Sequence, residues 1–399
     1  MGKNVVLGIT GGIAAYKMAS VASSLTQQGY NVRVVMTASA TEFIAPLTFE
    51  SITGNPVEND LFSPPEHYDV KHISLADWAD LLLVAPATAN IIGKMASGIA
   101  DDLLSTLVLS VKIPILVAPA MNTNMYNNYA VRDNIECLKQ RGVHIIEPDS
   151  GYLACGETGK GRLPAPQDLT AHVEKILTVN DFQDKKVLIS AGPTREELDP
   201  VRFLSNYSSG KMGYALARQA AFRGAEVTLV SGPVSLEAPL GVNPVTIKSA
   251  REMHQKIMEI YQQQDVIIMA AAVADFRPSG KYNEKIKKAA FTDKIELDSN
   301  PDILAELGKK VSQQQVLVGF AAESSRVKER AQKKLEEKKL DLIIANDITG
   351  EDTGFGSDYN QAYLISRQQK ELVSRTTKNK LAAIILDKIK KMPEDEENG

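Results

Sequence analysis

Short apolar runs alternate with amphipathic helical patterns from one end of this 399-residue sequence to the other. Each run is a near-continuous series of valine, isoleucine and leucine, the pattern of strands that are buried on both faces of a parallel sheet. Parallel strands need long crossover connections, and the helical patterns between the runs supply them. The sequence therefore predicts an α/β protein in which doubly wound, mainly parallel sheets are covered by helices in three layers.

The predicted elements form two series. In the first half, strands are predicted at residues 5–10, 32–37, 81–85, 115–118 and 144–147. In the second half, strands are predicted at residues 186–190, 226–230, 245–248, 266–271, 316–320, 340–345 and 362–366. Helices are predicted at residues 16–28, 126–141, 167–177, 212–223, 251–264 and 379–392.

Two domains are expected. The segment 178–186 is polar, follows a predicted helix and precedes a second strand–turn–helix unit. Each half opens with a strand, a glycine-containing turn and a helix that ends in glycine, Gly29 or Gly224. We therefore expect one domain at residues 1–180 and a second at 181–392. The acidic residues 393–399 are expected to form a disordered tail.

Charge and composition exclude several classes of protein. The 45 Lys and Arg residues against 49 Asp and Glu give a net charge of -4, so the basic excess of a nucleic-acid-binding protein is missing. The apolar runs are shorter than the roughly 18 residues that span a bilayer, and the N-terminus lacks the pattern of a secretory signal. Cys137 and Cys155 are too few for a disulfide framework or a cysteine-rich zinc site. We expect a cytoplasmic protein with no nucleic-acid or membrane partner.

A glycine-rich turn, Gly-Ile-Thr-Gly-Gly-Ile at residues 8–13, links the first predicted strand to its helix. Such a turn offers helical N–H groups to a phosphate. Its spacing differs from G-x-G-x-x-G, and small and hydroxyl residues follow the second strand where a dinucleotide enzyme has an acidic residue. A mononucleotide such as FMN therefore fits better than NAD, with helix capping alone as the alternative.

Other candidate residues lie at strand ends and in loops. Residues 85–90 and 119–125 are mostly small, hydroxyl or amide residues at predicted strand ends, where open α/β sheets bind ligands; ordinary turn chemistry is the alternative. Cys155 lies in a glycine-rich stretch that can fold over a site as a lid, and a neutral thiol there can donate a proton. Cys137 is expected to be an inert core residue. His72 lies in a predicted loop, where histidines are more often solvated than catalytic.

Several long motifs resemble known families. The first half resembles the flavin-dependent cysteine decarboxylases. Its motifs are Ile-Thr-Gly-Gly-Ile-Ala-Ala (9–15), Ala-Pro-Ala-Thr-Ala-Asn (85–90), Pro-Ala-Met-Asn (119–122) with Met125, and Ala-Cys-Gly (154–156). The second half resembles the phosphopantothenate–cysteine ligases. Its motifs include Ser-Ala-Gly-Pro-Thr-Arg (190–195), Ser-Asn-Tyr-Ser-Ser-Gly-Lys-Met-Gly (205–213), Ala-Ala-Ala-Val-Ala-Asp (270–275), Lys-Ile-Lys-Lys (285–288) and Asn-Pro-Asp-Ile (300–303).

In this order, the two halves closely resemble the family of bacterial bifunctional coenzyme A biosynthesis proteins. The match covers about residues 3–385. It implies a flavodoxin-like or Rossmann-like flavin decarboxylase domain followed by a Rossmann-like ligase domain.

For the first half, the resemblance implies FMN-dependent oxidative decarboxylation of 4'-phosphopantothenoylcysteine and its reduction to 4'-phosphopantetheine. His72 would act beside the flavin, Asn122 would hold the substrate carboxylate, Met125 would contact the substrate and Cys155 would protonate the product. A flavin can take a hydride from the substrate and return it after CO₂ has left. The residues implied to contact FMN are Gly12, Ile13, Ala14, Ser39, Thr88 and Asn90.

For the second half, the resemblance implies CTP-dependent ligation of cysteine to 4'-phosphopantothenate through an acyl-cytidylate. Asn206 would handle the acyl-cytidylate, and Lys285 would be catalytic as well as nucleotide-binding. Mg²⁺ is expected with the triphosphate, although the sequence identifies no metal ligands. The other residues implied to bind CTP are Ala271, Asp275, Asn300, Pro301, Asp302, Ile303, Phe320, Lys334 and Lys338.

The resemblance also implies a homo-oligomer, with a trimer-based decarboxylase core that holds FMN at a subunit contact and with dimeric ligase contacts. Two other interpretations stay open. One is a non-catalytic regulatory subunit of the same flavoprotein fold, which the joint presence of His72, Asn122 and Cys155 disfavours. The other is a nicotinamide oxidoreductase, which the missing acidic residue after the second strand of each half disfavours.

Overall fold

The computed structural model of the protein describes residues 2–61, 70–154, 156–287, 294–323, 326–347 and 356–397, without the side chains of 322, 323, 347 and 393–397. Its contacts divide the chain into two compact units, Met1–Thr178 (unit 1) and Val179–Gly399 (unit 2). Within the described ranges, no helix is both long and apolar enough to cross a membrane.

Unit 1 is built on a six-stranded, all-parallel sheet in the order β3-β2-β1-β4-β5-β6. Its strands are β1 (Asn4–Ile9), β2 (Asn31–Met36), β3 (Val57–Glu58), β4 (Leu81–Ala87), β5 (Ile115–Pro119) and β6 (His144–Ile145). Alternate residues of β1 enter two separate cores, Val5 and Leu7 on one face and Val6 on the other. Both faces are therefore covered, and the predicted α/β architecture of this half is confirmed.

Helices cover both faces of this sheet. They are α1 (Met18–Gln27), α2 (Ala38–Thr41), α3 (Pro46–Thr53), α4 (Lys71–Trp78), α5 (Ala89–Ser97), α6 (Leu103–Ser110), α7 (Thr123–Asn127), α8 (Tyr129–Gln140) and α9 (Pro166–Leu177). A short 3-10 helix, Ile13–Lys17, precedes α1. The helix predicted at 126–141 is interrupted, because the Asn128 side chain accepts a hydrogen bond from the Ala130 N–H and caps α8.

Two features of unit 1 set up a site. The chain reverses its direction of travel across the sheet between β1 and β4, and ligands of open α/β sheets bind at the carboxyl ends of the strands at such a point. An antiparallel hairpin, β7 (Asp149–Tyr152) and β8 (Thr158–Arg162), follows β6. The sequence analysis did not predict this hairpin, because its glycines and polar residues carry no apolar alternation.

Unit 2 contains an eight-stranded sheet in the order β13-β12-β9-β14-β17-β18-β19-β20. Its strands are β9 (Lys186–Ala191), β12 (Glu226–Ser231), β13 (Val242–Thr246), β14 (Val266–Met269), β17 (Val316–Glu323), β18 (Leu342–Asp347), β19 (Tyr359–Ser366) and β20 (Lys370–Thr377). Two small hairpins lie outside it, β10 (Arg195–Glu197) with β11 (Phe203–Ser205) and β15 (Phe276–Pro278) with β16 (Leu297–Ser299).

The strands from β13 to β18 are parallel, whereas β19 and β20 run antiparallel to their neighbours. The sheet is thus mainly parallel, as predicted. Each edge strand carries a residue type that discourages further pairing: Pro244 lies in β13, and Lys370 and Glu371 lie exposed in β20. The strand predicted at 245–248 is observed earlier, at Val242–Thr246, where most residues are exposed and give no apolar run.

The helices of unit 2 are α10 (Lys211–Phe222), α11 (Ala250–Ile260), α12 (Ile303–Lys310), α13 (Val327–Glu337) and α14 (Lys378–Glu397). Helix α10 packs against α14. Helix α14 continues to Glu397, over residues for which the sequence predicts a disordered tail, and glutamate is a good helix former once a helix is under way.

Candidate active site

A cavity of about 670 Å³ opens at the point where the strand order of unit 1 reverses. Its wall is formed by the glycine turn after β1, the end of β4, the segment between β5 and α7, and the hairpin β7–β8. The lining residues are Gly11, Gly12, Ile13, Ala14, Tyr16, Lys17, Pro86, Thr88, Ala89, Ala120, Met121, Asn122, Met125, Tyr152, Leu153, Ala154, Gly161, Arg162 and Leu163. The size lies in the range of pockets that enclose a small organic ligand.

Two threonines, Thr10 and Thr88, connect the strand ends that lie at the base of the cavity. The buried Thr10 hydroxyl donates to the Pro86 carbonyl at 2.6 Å and accepts from the Thr88 N–H at 3.2 Å. Thr88 then caps α5 by accepting from the Ile91 N–H. These contacts tie the end of β1 to the end of β4, so the two strand ends that flank the cavity keep a fixed spacing.

Asn122 caps helix α7. Its side-chain oxygen accepts hydrogen bonds from the Asn124 N–H at 2.7 Å and the Met125 N–H at 3.4 Å. Because the oxygen is used in this way, the amide NH₂ is the end of the side chain suited to donate to an anionic group such as a carboxylate.

Two cations of the cavity wall, Lys17 and Arg162, were not singled out by the sequence analysis. The Lys17 ammonium donates to the Leu163 carbonyl at 3.0 Å. Burial, followed by the charge of Arg162, lowers the pKa of Lys17. A sequence signal exists for Arg162, which ends the run Gly-Lys-Gly-Arg, but Lys17 is hidden inside a helical pattern.

The hairpin lies close against the segment that carries Asn122. The Met121 N–H donates to the Gly161 carbonyl at 3.0 Å. A Cβ added at Gly159 would lie 2.4 Å from the Thr123 hydroxyl oxygen, and one added at Gly161 would lie 2.2 Å from the Met121 carbonyl oxygen. Only glycine fits at these positions, so the Gly-Lys-Gly sequence permits this close packing.

The structure brings together some of the residues that were predicted to contact the flavin and the substrate. Gly12, Ile13, Ala14, Thr88, Asn122 and Met125 all line the cavity. Ser39 and Asn90 are exposed and are not among the lining residues. Ser39 nevertheless lies directly beside the glycine turn, because a Cβ added at Gly11 would be only 2.4 Å from the Ser39 Cβ. Cys155 lies outside the described residues. The other cysteine, Cys137, is half-buried.

His72 does not lie in a loop as predicted. It belongs to the first turn of α4, where Leu75 faces the core, and it does not line the cavity of its own chain. Its Nδ1 is buried and has no hydrogen-bond partner among the described residues.

In unit 2, several predicted ligase residues meet beyond the carboxyl end of β14. The Asn206 amide donates to the Ala272 carbonyl at 2.8 Å, and the Ser190 hydroxyl accepts from the Ala271 N–H at 3.1 Å. The Asn300 amide donates to the Ala274 carbonyl at 2.9 Å, and its backbone N–H donates to the Asp275 carbonyl at 2.8 Å. The loop 271–275 is therefore fixed from two sides.

A second group of predicted ligase residues connects the start of α12 to the end of α13. Asp302 caps α12 by accepting from the Ala305 N–H at 3.0 Å, and it forms an ion pair with Lys338 at 2.8 Å. Burial acts to raise the pKa of Asp302, but hydrogen bonds from Lys338 and the Ala305 N–H, together with the charges of Lys338 and Lys334, outweigh it and lower the pKa. Pro301 is half-buried, Ile303 lies in the core, and Phe320 packs against the opposite core of the sheet.

Lys285 lies in an exposed loop whose position depends on a buried carboxylate that the sequence analysis missed. The Asp199 side chain accepts hydrogen bonds from Arg202 and from the N–H of Ile286, the neighbour of Lys285. Arg202 donates in turn to the Ile286 carbonyl at 3.0 Å. Hydrogen bonding to Arg202 holds the pKa of Asp199 well below its usual range, so this contact persists at ordinary pH.

Lys211, the lysine of the 205–213 motif, contacts an acidic side chain distant in the sequence. Its ammonium forms an ion pair with Asp358 at 2.6 Å. In the described part of the chain, no three His, Cys, Asp or Glu side chains come together as a possible metal site.

Comparison with protein families identifies both halves. Residues 1–178 match the family model described as Flavoprotein, and residues 182–392 match the one described as DNA/pantothenate metabolism flavoprotein C-terminal domain. Among solved structures, the C-terminal domain of coenzyme A biosynthesis bifunctional protein CoaBC is 43% identical, covering 54% of this chain and 99% of its own, with a TM-score of 0.47. A mutant PPC decarboxylase complexed with pantothenoylaminoethenethiol is 32% identical, covering 43% and 97%, with a TM-score of 0.40.

Curated relatives match nearly the whole chain. Coenzyme A biosynthesis bifunctional protein CoaBC of Vibrio vulnificus is 47% identical and that of Escherichia coli 44% identical, and in each case the match covers 97% of both chains. The protein of the same name from Bacillus subtilis is 48% identical over 90% of this chain and 89% of its own. The chain therefore belongs to the family of bifunctional coenzyme A biosynthesis proteins, combining a decarboxylase with a ligase.

Proposed function

We propose that unit 2 joins cysteine to 4'-phosphopantothenate with CTP, through an acyl-cytidylate, and that unit 1 converts the resulting 4'-phosphopantothenoylcysteine to 4'-phosphopantetheine with FMN. The observation that carries this proposal is the cavity of unit 1. Its lining includes the glycine turn, Thr88 and Asn122, and the chain belongs to a family with both activities.

FMN suits the residues around the glycine turn. The first N–H groups of a helix have no partner within that helix, and the helix that starts here, at Ile13, begins among residues that line the cavity. The Thr37 hydroxyl, just beyond β2, is buried without a hydrogen-bond partner among the described residues. We assign the FMN contacts to Gly12, Ile13, Ala14, Ser39, Thr88 and Asn90. When bound, FMN supplies reversible hydride transfer.

The side chains of unit 1 have separate tasks. Asn122 binds the substrate carboxylate through its amide NH₂ and so orients the bond that breaks when CO₂ leaves. Met125 lines the same side of the cavity and excludes water from the substrate. His72 acts beside the ring system, and Cys155 donates the final proton from its neutral thiol, since an ordinary thiol has a pKa near 8.5.

In unit 2, we assign CTP binding to residues at the ends of the strands and to three lysines. Ala271, Asp275 and the loop from Asn300 to Ile303 bind the nucleoside part together with Phe320. Lys285, Lys334 and Lys338 oppose the triphosphate charge and stabilise the charge that develops when the carboxylate attacks. Asn206 orients the acyl-cytidylate for attack by the cysteine amine.

Mg²⁺ belongs to this proposal as a companion of CTP. The described residues form no protein cage for a metal ion, and Mg²⁺ usually binds through substrate phosphates with one or two carboxylates.

A homo-oligomer would complete the site of unit 1. Ile13, Tyr16, Met125 and Tyr152 line the cavity and are nevertheless 48–72% exposed. His72 and Asn90 do not line the cavity of their own chain. A trimer-based contact at this face would cover the apolar mouth and bring residues of a second copy to the flavin, and dimeric contacts would join the ligase units.

One assay tests the two activities. Purified protein is mixed with 4'-phosphopantothenate, cysteine, CTP and Mg²⁺, and the products are identified by mass spectrometry with and without CTP. We expect 4'-phosphopantetheine and CMP only when CTP is present, and a yellow protein whose released flavin is FMN. Conversion of supplied 4'-phosphopantothenoylcysteine should not need CTP. Absence of any flavin, or ligation with no nucleotide, would refute the proposal.

A further inference from the structure

Lys160, between the two close-packed glycines of β8, links the hairpin to the rest of unit 1. Its ammonium lies 2.8 Å from the Glu147 carboxylate, which precedes the hairpin in the chain. The same ammonium lies 5.5 Å from the centre of the Tyr126 ring, within reach of a cation–π contact.

Glu147 is the centre of this group. The hydroxyl of Tyr126, whose side chain is fully buried in α7, donates to the carboxylate oxygen that also accepts from Lys160, at 2.7 Å. Lys139 of α8 donates to the other oxygen at 3.3 Å. Glu147 therefore receives two donors from the helices and one from the hairpin, and of these three donors Lys160 is the one that belongs to the hairpin.

The contact is maintained at ordinary pH. Burial acts to raise the pKa of Glu147, but hydrogen bonds from Lys160, Tyr126 and Lys139 outweigh it and hold the pKa at about 2. Burial and the hydrogen bond to Glu147 raise the pKa of Tyr126 to about 12, so its hydroxyl keeps the proton that it donates.

The hairpin forms one side of the cavity. Tyr152, Leu153 and Ala154 precede Cys155 in the chain, and Gly161 and Arg162 follow it; all five line the cavity. We propose that Lys160 is a positioning residue for the last step of the decarboxylase, because it fixes this wall to Glu147 and Tyr126 while the substrate is protonated. The inference rests on the function proposed above.

In that last step, the enethiol left by loss of CO₂ would take a proton from the Cys155 thiol, which becomes a thiolate, and FMN in its reduced form would supply the hydride that completes 4'-phosphopantetheine. Steps that precede it depend on the flavin site and on Asn122, which packs near the hairpin but is fixed by its own hydrogen bonds from the Asn124 and Met125 N–H groups. Loosening of the hairpin should therefore affect the fate of the enethiol more than the release of CO₂.

The experiment compares Lys160→Met with Lys139→Met in the full-length protein. Both variants remove one cation from Glu147, but Lys139 lies on α8 and not on the hairpin. CO₂ release and the ratio of free enethiol to 4'-phosphopantetheine are measured on supplied 4'-phosphopantothenoylcysteine, together with hydrogen–deuterium exchange of the β8 amides. Lys160→Arg serves as the rescue variant.

We expect Lys160→Met to raise the ratio of enethiol to product by about two- to five-fold, the effect of losing one partly exposed ion pair, and to speed exchange in β8. CO₂ release, Lys139→Met and Lys160→Arg should stay near wild type. A general loss of stability would lower CO₂ release and product together and leave the ratio unchanged.

Two results overturn the inference: an unchanged ratio in Lys160→Met, or equal changes in Lys139→Met. Failure of the proposed function would look different, since the wild-type protein would then release no CO₂, and the exchange comparison would still decide whether Lys160 fixes the hairpin.

Discussion

At the scale of single residues, Asn122 caps helix α7 and, in the proposed function, would also bind the substrate with the opposite end of the same amide. Its oxygen caps α7, while its NH₂ is assigned to the substrate carboxylate. Aspartate is an equally good helix cap, but it has no donor and carries a negative charge. The two roles can therefore be separated by one substitution.

Asn122→Asp is expected to keep the melting temperature and the bound flavin but to lower decarboxylase kcat/KM by at least about 10-fold, the effect of losing one hydrogen bond to a charged group. The matched control is Asn128→Asp, because Asn128 caps α8 in the same way and does not line the cavity. Steady-state kinetics and thermal denaturation of both variants provide the measurement. Full activity in Asn122→Asp would remove Asn122 from substrate binding.

Lys285→Gln is expected to abolish ligation while decarboxylation of supplied 4'-phosphopantothenoylcysteine continues. The substitution removes a charge assigned to the triphosphate, and Asp199 still holds the neighbouring Ile286. Lys281→Gln is the control, since Lys281 lies in the same region but pairs with Glu197. CMP release and CO₂ release are followed in parallel. Parallel loss of both activities would contradict separate sites.

At the scale of elements, Arg223 connects three segments of unit 2. It follows α10, donates to Asp181 through two nitrogens at 2.7 and 2.6 Å, and reaches Asp387 of α14 at 2.7 Å. Its side chain is only 7% exposed. Removal of one partner from a buried ion pair leaves a charge without compensation.

Arg223→Met is expected to lower the free energy of unfolding of unit 2 by about 3 kcal/mol at neutral pH. Lys390→Met, which removes an exposed partner of Asp181, should cost less than about 1 kcal/mol. Arg223 lowers the pKa of Asp181, so its contribution is present above the unfolded value near 4 and is lost as the pH falls through the lower folded value. Denaturant titrations should therefore show a smaller difference from wild type in acid.

The elements also show which parts of the fold a sequence can predict. Strands such as β4, whose seven residues are all buried, give continuous apolar runs and were predicted within two residues. The hairpin β7–β8 and strand β20 were missed, because their residues are mostly exposed and their pairing depends on distant partners. Likewise, motifs identified Asn122 and Thr88, whereas Lys17, Asp199 and Glu147 become significant only through tertiary contacts.

At the scale of the whole molecule, each unit has its own pair of cores. Leu83 is fully buried in unit 1, and Leu188 is fully buried in unit 2. Substitution of such a leucine by alanine costs about 2–5 kcal/mol, and the loss should be confined to the unit that contains it.

Leu83→Ala is expected to make decarboxylation more sensitive to heat while ligation survives, and Leu188→Ala is expected to do the reverse. Both residual activities are measured after incubation over a range of temperatures. If either variant lost both activities at the same temperature, the two units would be unfolding together.

The proline in β13 and the charged residues in β20 have a consequence for assembly. Both margins of the large sheet resist the addition of a further strand. The large sheet of unit 2 should accordingly contact other copies through side-chain surfaces and not by continuous backbone pairing. Replacement of Pro244, Lys370 and Glu371 by strand-forming apolar residues should therefore favour edge-to-edge pairing of this sheet in concentrated preparations.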